Sequence, residues 1–187
     1  LAAWRGAGCA AIATPAALDS IGGLLYLLPG RAGAPGAVDQ GEATGDLGES
    51  LVDLYLEDSR QSGSLKSYAW LARINAISPM DFEATDPTGV TESVEVKTTS
   101  GEFERPFHVA LSELREAVTG ERMYRIYRVY SADAKGAKLR VSSDFRPLAR
   151  TILEAFEKLP VGVAPDGVTI APTLLSFGKV IRLHPGE

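Results

Sequence analysis

The segment Val94-Glu95-Val96-Lys97 places an acid and an amine two residues apart. On a β-strand successive side chains alternate faces, so Glu95 and Lys97 share one face while Val94 and Val96 point into a core. Upstream lies Asp81, separated from this segment by Asp86-Pro87-Thr88-Gly89. That is a turn sequence: Pro presets one backbone angle and Gly accepts the positive one. A hairpin closed there brings Asp81 across from Glu95 or diagonal to it. Two carboxylates converging on one point repel, and a divalent cation is the usual compensation. Mg²⁺ prefers oxygen ligands and retains waters, one of which becomes acidic enough to attack a phosphodiester. A nearby Lys ammonium orients that water or stabilises the charge building on the phosphate oxygens. For Glu95 and Lys97 taken by themselves, the alternative is an ion pair on a solvated strand face.

The remaining chemistry-bearing residues narrow the choice. Cys9 is the only cysteine of the 187 residues, which rules out an intrachain disulfide and a cysteine-based zinc site and points to a reducing compartment, the cytoplasm. His108 and His184 are the only histidines, so a metal here is expected on oxygen ligands. His108 has no His or Cys near it in sequence and reads as structural.

The formal net charge is -5, against a protein that coats nucleic acid by bulk charge. The charge is unevenly spread, however. Residues 1–96 hold 5 Lys/Arg against 13 Asp/Glu, and residues 97–150 hold 11 against 7. An acidic stretch beside a basic one suits a metal pocket next to a phosphate-binding surface, and also suits an ordinary soluble protein. Arg122, Arg125 and Arg128 form a candidate phosphate-binding row, although strict alternation sends Arg125 and Arg128 to opposite faces. Tyr124, Tyr127 and Tyr130 are suited to stacking on bases, and equally to a strand core, where Trp70 is also expected.

The elements that must position these residues follow from periodicity. Residues 1–29 read as a helical appendage without a run long enough to span a bilayer, and residues 30–45 as a Gly-, Ala- and Pro-rich linker. A domain of residues 46–187 follows, with a C-terminal extension from residue 160. Asp46 is the expected N-cap of a helix, with Glu49 at its third position as in a capping box. Glu49 thereby becomes a candidate third acid, or an acid that serves only the helix end. Leu47, Leu51, Leu54 and Tyr55 recur at helical spacing and should face a core. Strands are expected over 68–74, 81–85, 93–99, 107–110, 123–131, 137–142, 168–170 and 180–183, and helices over 111–118 and 146–159.

Gly48-Glu49 opening a helix, then Asp81-Phe82, then Val94-Glu95-Val96-Lys97-Thr98-Thr99-Ser100-Gly101 resemble the NO VEIN-type C-terminal domain. The similarity continues through 107–117 into Tyr124-Arg125-Ile126-Tyr127-Arg128-Val129-Tyr130 and spans residues 45–145. That family is related to the PD-(D/E)xK nucleases, Mrr-type restriction endonucleases among them. The resemblance implies an α/β fold with a restriction-endonuclease-like mixed central β-sheet flanked by helices. It implies Glu49, Asp81, Glu95 and Lys97 as the catalytic set, with the three acids as ligands of Mg²⁺ or, in its place, Mn²⁺.

It further implies a DNA or RNA phosphodiester substrate, foremost double-stranded DNA, for which Thr98 and the three arginines are the candidate contacts. The setting it implies is a bacterial restriction or anti-phage defence protein, acting as a homodimer or in a larger complex and not in a membrane. Two positions depart from the family pattern: Met80 stands where a Tyr is usual, and Ala110 where a helix-capping Ser is usual. The competing expectations are an inactive nuclease-like module that binds nucleic acid or a protein partner, and a purely structural domain.

Overall fold

The computed structural model describes residues 37–75 and 77–185. The expected appendage, and the expected linker as far as residue 36, lie outside them. The first described element is α1 (Ala37–Gln61), 25 residues long. It begins upstream of Asp46, so Asp46 and Glu49 are interior helical residues, not a cap and its third position. Gly41 and Gly45 read locally as helix breakers, but an interior Gly costs only about 1 kcal/mol relative to Ala, which tertiary packing outweighs. Of the expected apolar stripe, Leu51 is buried and Leu47 and Tyr55 pack against the core, with Val52 and Leu56 beside them. Leu54 is 38% exposed and falls off the stripe.

Next come β1 (Ser67–Trp70), a single helical turn α2 (Leu71–Ile74), β2 (Phe82–Thr85) and β3 (Thr91–Thr98). The segment expected to run as one strand through residue 74 thus turns helical after Trp70. The β2–β3 hairpin closes at the expected turn, where Asp86 accepts from the backbone N–H of Thr88 and Val90 and from the Thr88 hydroxyl. Gly89 there has φ +91°, a region other residues avoid. β4 (Phe107–Ala110) leads into α3 (Leu111–Thr119), followed by β5 (Met123–Asp133), β6 (Gly136–Val141) and α4 (Arg146–Phe156). β7 (Gly167–Ile170) and β8 (Ile181–Leu183) complete the strands.

Six strands form one mixed sheet in the order β1-β2-β3-β5-β6-β8, and β4 pairs with β7 in a separate two-stranded sheet. β3 and β5 run parallel, joined by the crossover through β4 and α3, and the other pairs are antiparallel. The fold is therefore α/β with a mixed central sheet flanked by helices, as expected. Hydrophobic clusters cover both sheet faces. Phe82, Val94, Val96, Tyr127 and Val129 pack beneath α1. Tyr124 and Ile126, from the opposite face of β5, pack with Leu114 of α3 and with Ala149 and Ile152 of α4. Burying each large aliphatic side chain contributes roughly 1.5–3 kcal/mol. The alternation that sends Val94 and Val96 toward α1 sends Glu95 and Lys97 toward α3. Among the described residues no helix is long and apolar enough to cross a membrane.

Candidate functional site

Phe82 pairs with Val94 at the last rung of the β2–β3 ladder, and Asp81 directly precedes it. Asp81 leaves the regular ladder here. Its carbonyl turns away to accept from the N–H of Leu71 and Ala72, while its N–H still donates to Val94 O at 2.9 Å. The next ladder donor, the N–H of Val96, is taken up by the Asp81 side chain, Oδ2, at 2.7 Å. The carboxylate is thereby fixed against the strand that carries Glu95 and Lys97.

Lys97 is the hub of the site. Its Nζ donates to Glu95 Oε1 at 2.7 Å and to Glu113 at 2.8–2.9 Å. Glu113 stands at the third position of α3, where its Oε2 also accepts from the N–H of Ala110 at 3.1 Å. Ala110 has no side-chain oxygen, so the reciprocal half of a capping box is missing, and one carboxylate serves the helix end and the lysine together. Glu95 is 5% exposed, and Tyr124 OH approaches its Oε2 at 3.4 Å while donating to Pro79 O at 2.8 Å.

Glu49 borders the same site from α1. Its Oε2 accepts from Trp70 Nε1 at 3.1 Å, and Trp70 in turn stacks on Phe82 with ring centroids 5.2 Å apart. Gly48 permits this placement, because a Cβ there would collide with the Thr98 side chain, so only a glycine lets α1 lie this close to the end of β3.

Four acids thus surround one lysine, and the electrostatics record the imbalance. Burial pushes the Asp81 carboxyl up to about 7; the Val96 amide opposes this, and the charge of Glu49 adds to it. Burial raises Glu95 well above the usual carboxylate range, against the pull of Lys97 and with the repulsion of Asp81 and Glu113. Burial also raises Glu49, despite the Trp70 hydrogen bond. Burial would depress Lys97, but Glu95 and Glu113 more than offset it and hold the ammonium above its ordinary value. Lys97 therefore stays cationic while the acids compete for protons or for further positive charge.

The donor set is all oxygen, which fits a hard divalent cation. Asp81, Glu95 and Glu49 are the residues that would hold it. Among the described residues, no group of three His, Cys, Asp or Glu side chains is arranged to hold a metal ion. Asp81 Oδ2 accepts from the Val96 amide and Glu95 Oε1 from Lys97.

The expected arginine row is divided among three surroundings. Arg122 is an exposed partner of Glu83. Arg125 pairs with Glu92 at 2.6 Å and donates to Ser142 O. Arg128 is 1% exposed, donates to the carbonyls of Lys97 and Arg105, and lies over the Phe107 ring. Only Arg128 adjoins the acid–lysine site, beside a cleft of about 590 Å³ that Lys97, Thr98, Thr99, Arg105 and His108 also line. Glu113 and Arg105 are the residues here that sequence reasoning had not singled out.

Residues 52–141 match the family model described as Protein NO VEIN, C-terminal. No curated protein and no solved structure matches the chain.

Proposed function

From the match of residues 52–141 to the NO VEIN C-terminal family model, we propose that this domain is a metal-dependent nuclease that hydrolyses nucleic-acid phosphodiester bonds. The observation that carries the reading is the excess of acid around Lys97: Glu95 and Glu113 touch it, and its charge is felt by Asp81 and Glu49. A lone structural ion pair has no use for two further carboxylates at least half-buried beside it.

A divalent cation such as Mg²⁺, when bound, supplies positive charge that offsets the acids and acidifies a water. The protein's own groups have separable roles. Asp81 and Glu95 present their oxygens from adjacent strands, and Glu49 adds a third acid from α1. Lys97 contributes a fixed positive charge near the phosphate oxygens as negative charge grows there. Glu113 positions Lys97 without reaching the substrate. In the hydrolysis a water oxygen forms the new P–O bond, the P–O bond to the departing nucleoside oxygen breaks, and that oxygen takes up a proton. Double-stranded DNA, a homodimer and a defence setting belong to the same proposal.

A second reading is favoured by the engagement of Asp81 by Val96 and of Glu95 by Lys97. In it the domain binds nucleic acid or a protein partner and cuts nothing. Incubating the protein with plasmid, single-stranded DNA and RNA, in Mg²⁺ or in chelator, separates the two. Metal-dependent cleavage supports the first, and salt-sensitive binding without cleavage supports the second.

A further inference from the structure

The positive charges of this chain differ in whether an acid answers them. Arg122, Arg125 and Arg146 each face a carboxylate, on Glu83, Glu92 and Asp144. Arg128 has no ion-pair partner among the described residues, although it is almost fully buried. Its guanidinium bonds only to two backbone carbonyls, and its Nε is buried without a hydrogen-bond partner. The charge that acts on it is a like one, Arg105. Arg105 is exposed, and both line the cleft of about 590 Å³ beside Lys97. That volume is in the range of ligand sites.

The rest of the cleft is mixed, with Val96, Pro106 and Phe107 as its apolar part. Thr98, Thr99, Ser100 and His108 line it along with the two arginines, and among the described residues no Asp or Glu does. Thr98 Oγ1 is a second buried polar atom without a partner. The cleft's rim is held in place by a register shift in β5 between Tyr130 and Asp133, which frees Ser131 N–H to bond Gly101 O at 2.8 Å and Ala132 N–H to bond Thr99 O at 3.2 Å. Ser131 adopts φ +50° at this bulge.

We propose that this cleft is an anion subsite in which Arg105 and Arg128 receive a backbone phosphate of the nucleic-acid strand, next to the phosphodiester at Lys97. The proposal rests on the nuclease-type reading for the identity of the strand. Arginine forks suit phosphate oxygens, and a buried guanidinium lacking a carboxylate is compensated by such a group. Arg122 and Arg125, each beside a carboxylate, lie outside the subsite.

The test uses the full chain in chelator, so that binding is read without hydrolysis. Fluorescence anisotropy follows a labelled short DNA strand at several salt concentrations, with inorganic phosphate as competitor. Arg105→Gln changes an exposed side chain and should weaken strand binding about tenfold and lower the salt slope by about one charge. Arg122→Gln should change it less than twofold, and millimolar phosphate should compete with the strand on the parent but not on Arg105→Gln. Equal effects of the two variants, or strand binding indifferent to Arg105, overturn the proposal. So does a phosphate that binds at Arg105 while the strand does not. Arg105-dependent binding by a protein that cuts nothing in Mg²⁺ leaves the subsite standing and removes the nuclease reading; cleavage with Arg105-independent binding does the reverse.

Discussion

The Asp81 carboxylate takes the place of a backbone carbonyl in the β2–β3 ladder, accepting the N–H of Val96 at 2.7 Å. This one bond ties the first acid to the strand that carries the second acid and the lysine. It also holds a carboxylate in a buried position where it is difficult to ionise.

The first prediction concerns pH. The Asp81 carboxyl rises from 3.8 to about 7 in the folded state. Between those values the folded protein holds a proton that the unfolded chain has released, so stability falls as pH rises through this window and levels off above it. Asp81→Asn removes the titration. In chelator, the variant should gain on the order of 2–4 kcal/mol relative to the parent on going from pH 4 to pH 8. Urea unfolding at several pH values measures it, and parallel curves for the two proteins would refute it.

The second prediction addresses Lys97. Removing one partner of a buried ion pair strands the other. Lys97→Met should cost roughly 3–5 kcal/mol at pH 8, and adding Glu95→Gln should recover most of that loss. An additive double variant would mean that Glu95 and Lys97 are not energetically coupled.

Glu113 offers a cleaner separation of role from fold. Gln at this position can still accept the Ala110 N–H, so Glu113→Gln should cost less than about 1 kcal/mol of stability. It removes the charge that holds Lys97, and metal-dependent cleavage should fall by about 10²-fold. Wild-type cleavage by the variant would assign Glu113 to the helix end alone.

A fourth prediction tests how α1 is seated. Gly48→Ala places a methyl group against the Thr98 side chain. Such overpacking should destabilise by about 1–3 kcal/mol, read by thermal or urea unfolding. Gly45→Ala, at a site where a Cβ meets nothing within 4 Å, should be neutral or stabilising by a few tenths to about 1 kcal/mol.

Much of this site could be read in the sequence because its signals are local. The Asp86-Pro87-Thr88-Gly89 turn and the alternation of Val94 to Lys97 together bring Asp81 near Glu95, across or diagonal to it, and the Asp81 carboxylate does lie against the β3 strand and within electrostatic reach of Glu95. Signals that depend on tertiary packing were not legible. The start of α1 at Ala37 was hidden by Gly41 and Gly45. Glu113 lacked its usual marker, since Ala110 stands where a Ser or Thr would announce a capping box. Alternation gave the face of Arg128 but not its burial, which depends on the segment around Arg105 and Phe107 folding over β5. The pairing of β4 with β7 joins segments nearly sixty residues apart, a separation over which neither strand's pattern names its partner.

The central claim is that Asp81, Glu95 and Lys97 act together on a phosphodiester, and cleavage tests it most directly. Plasmid, single-stranded DNA and RNA are incubated with the parent, Asp81→Asn and Lys97→Met, each in Mg²⁺ and in chelator, after circular dichroism has established that the variants are folded. The account predicts cleavage of at least one substrate by the parent in Mg²⁺ alone, and a loss of about 10²-fold or more in both variants. Cleavage that persists in either variant, or no cleavage of any substrate by the parent in Mg²⁺, contradicts it.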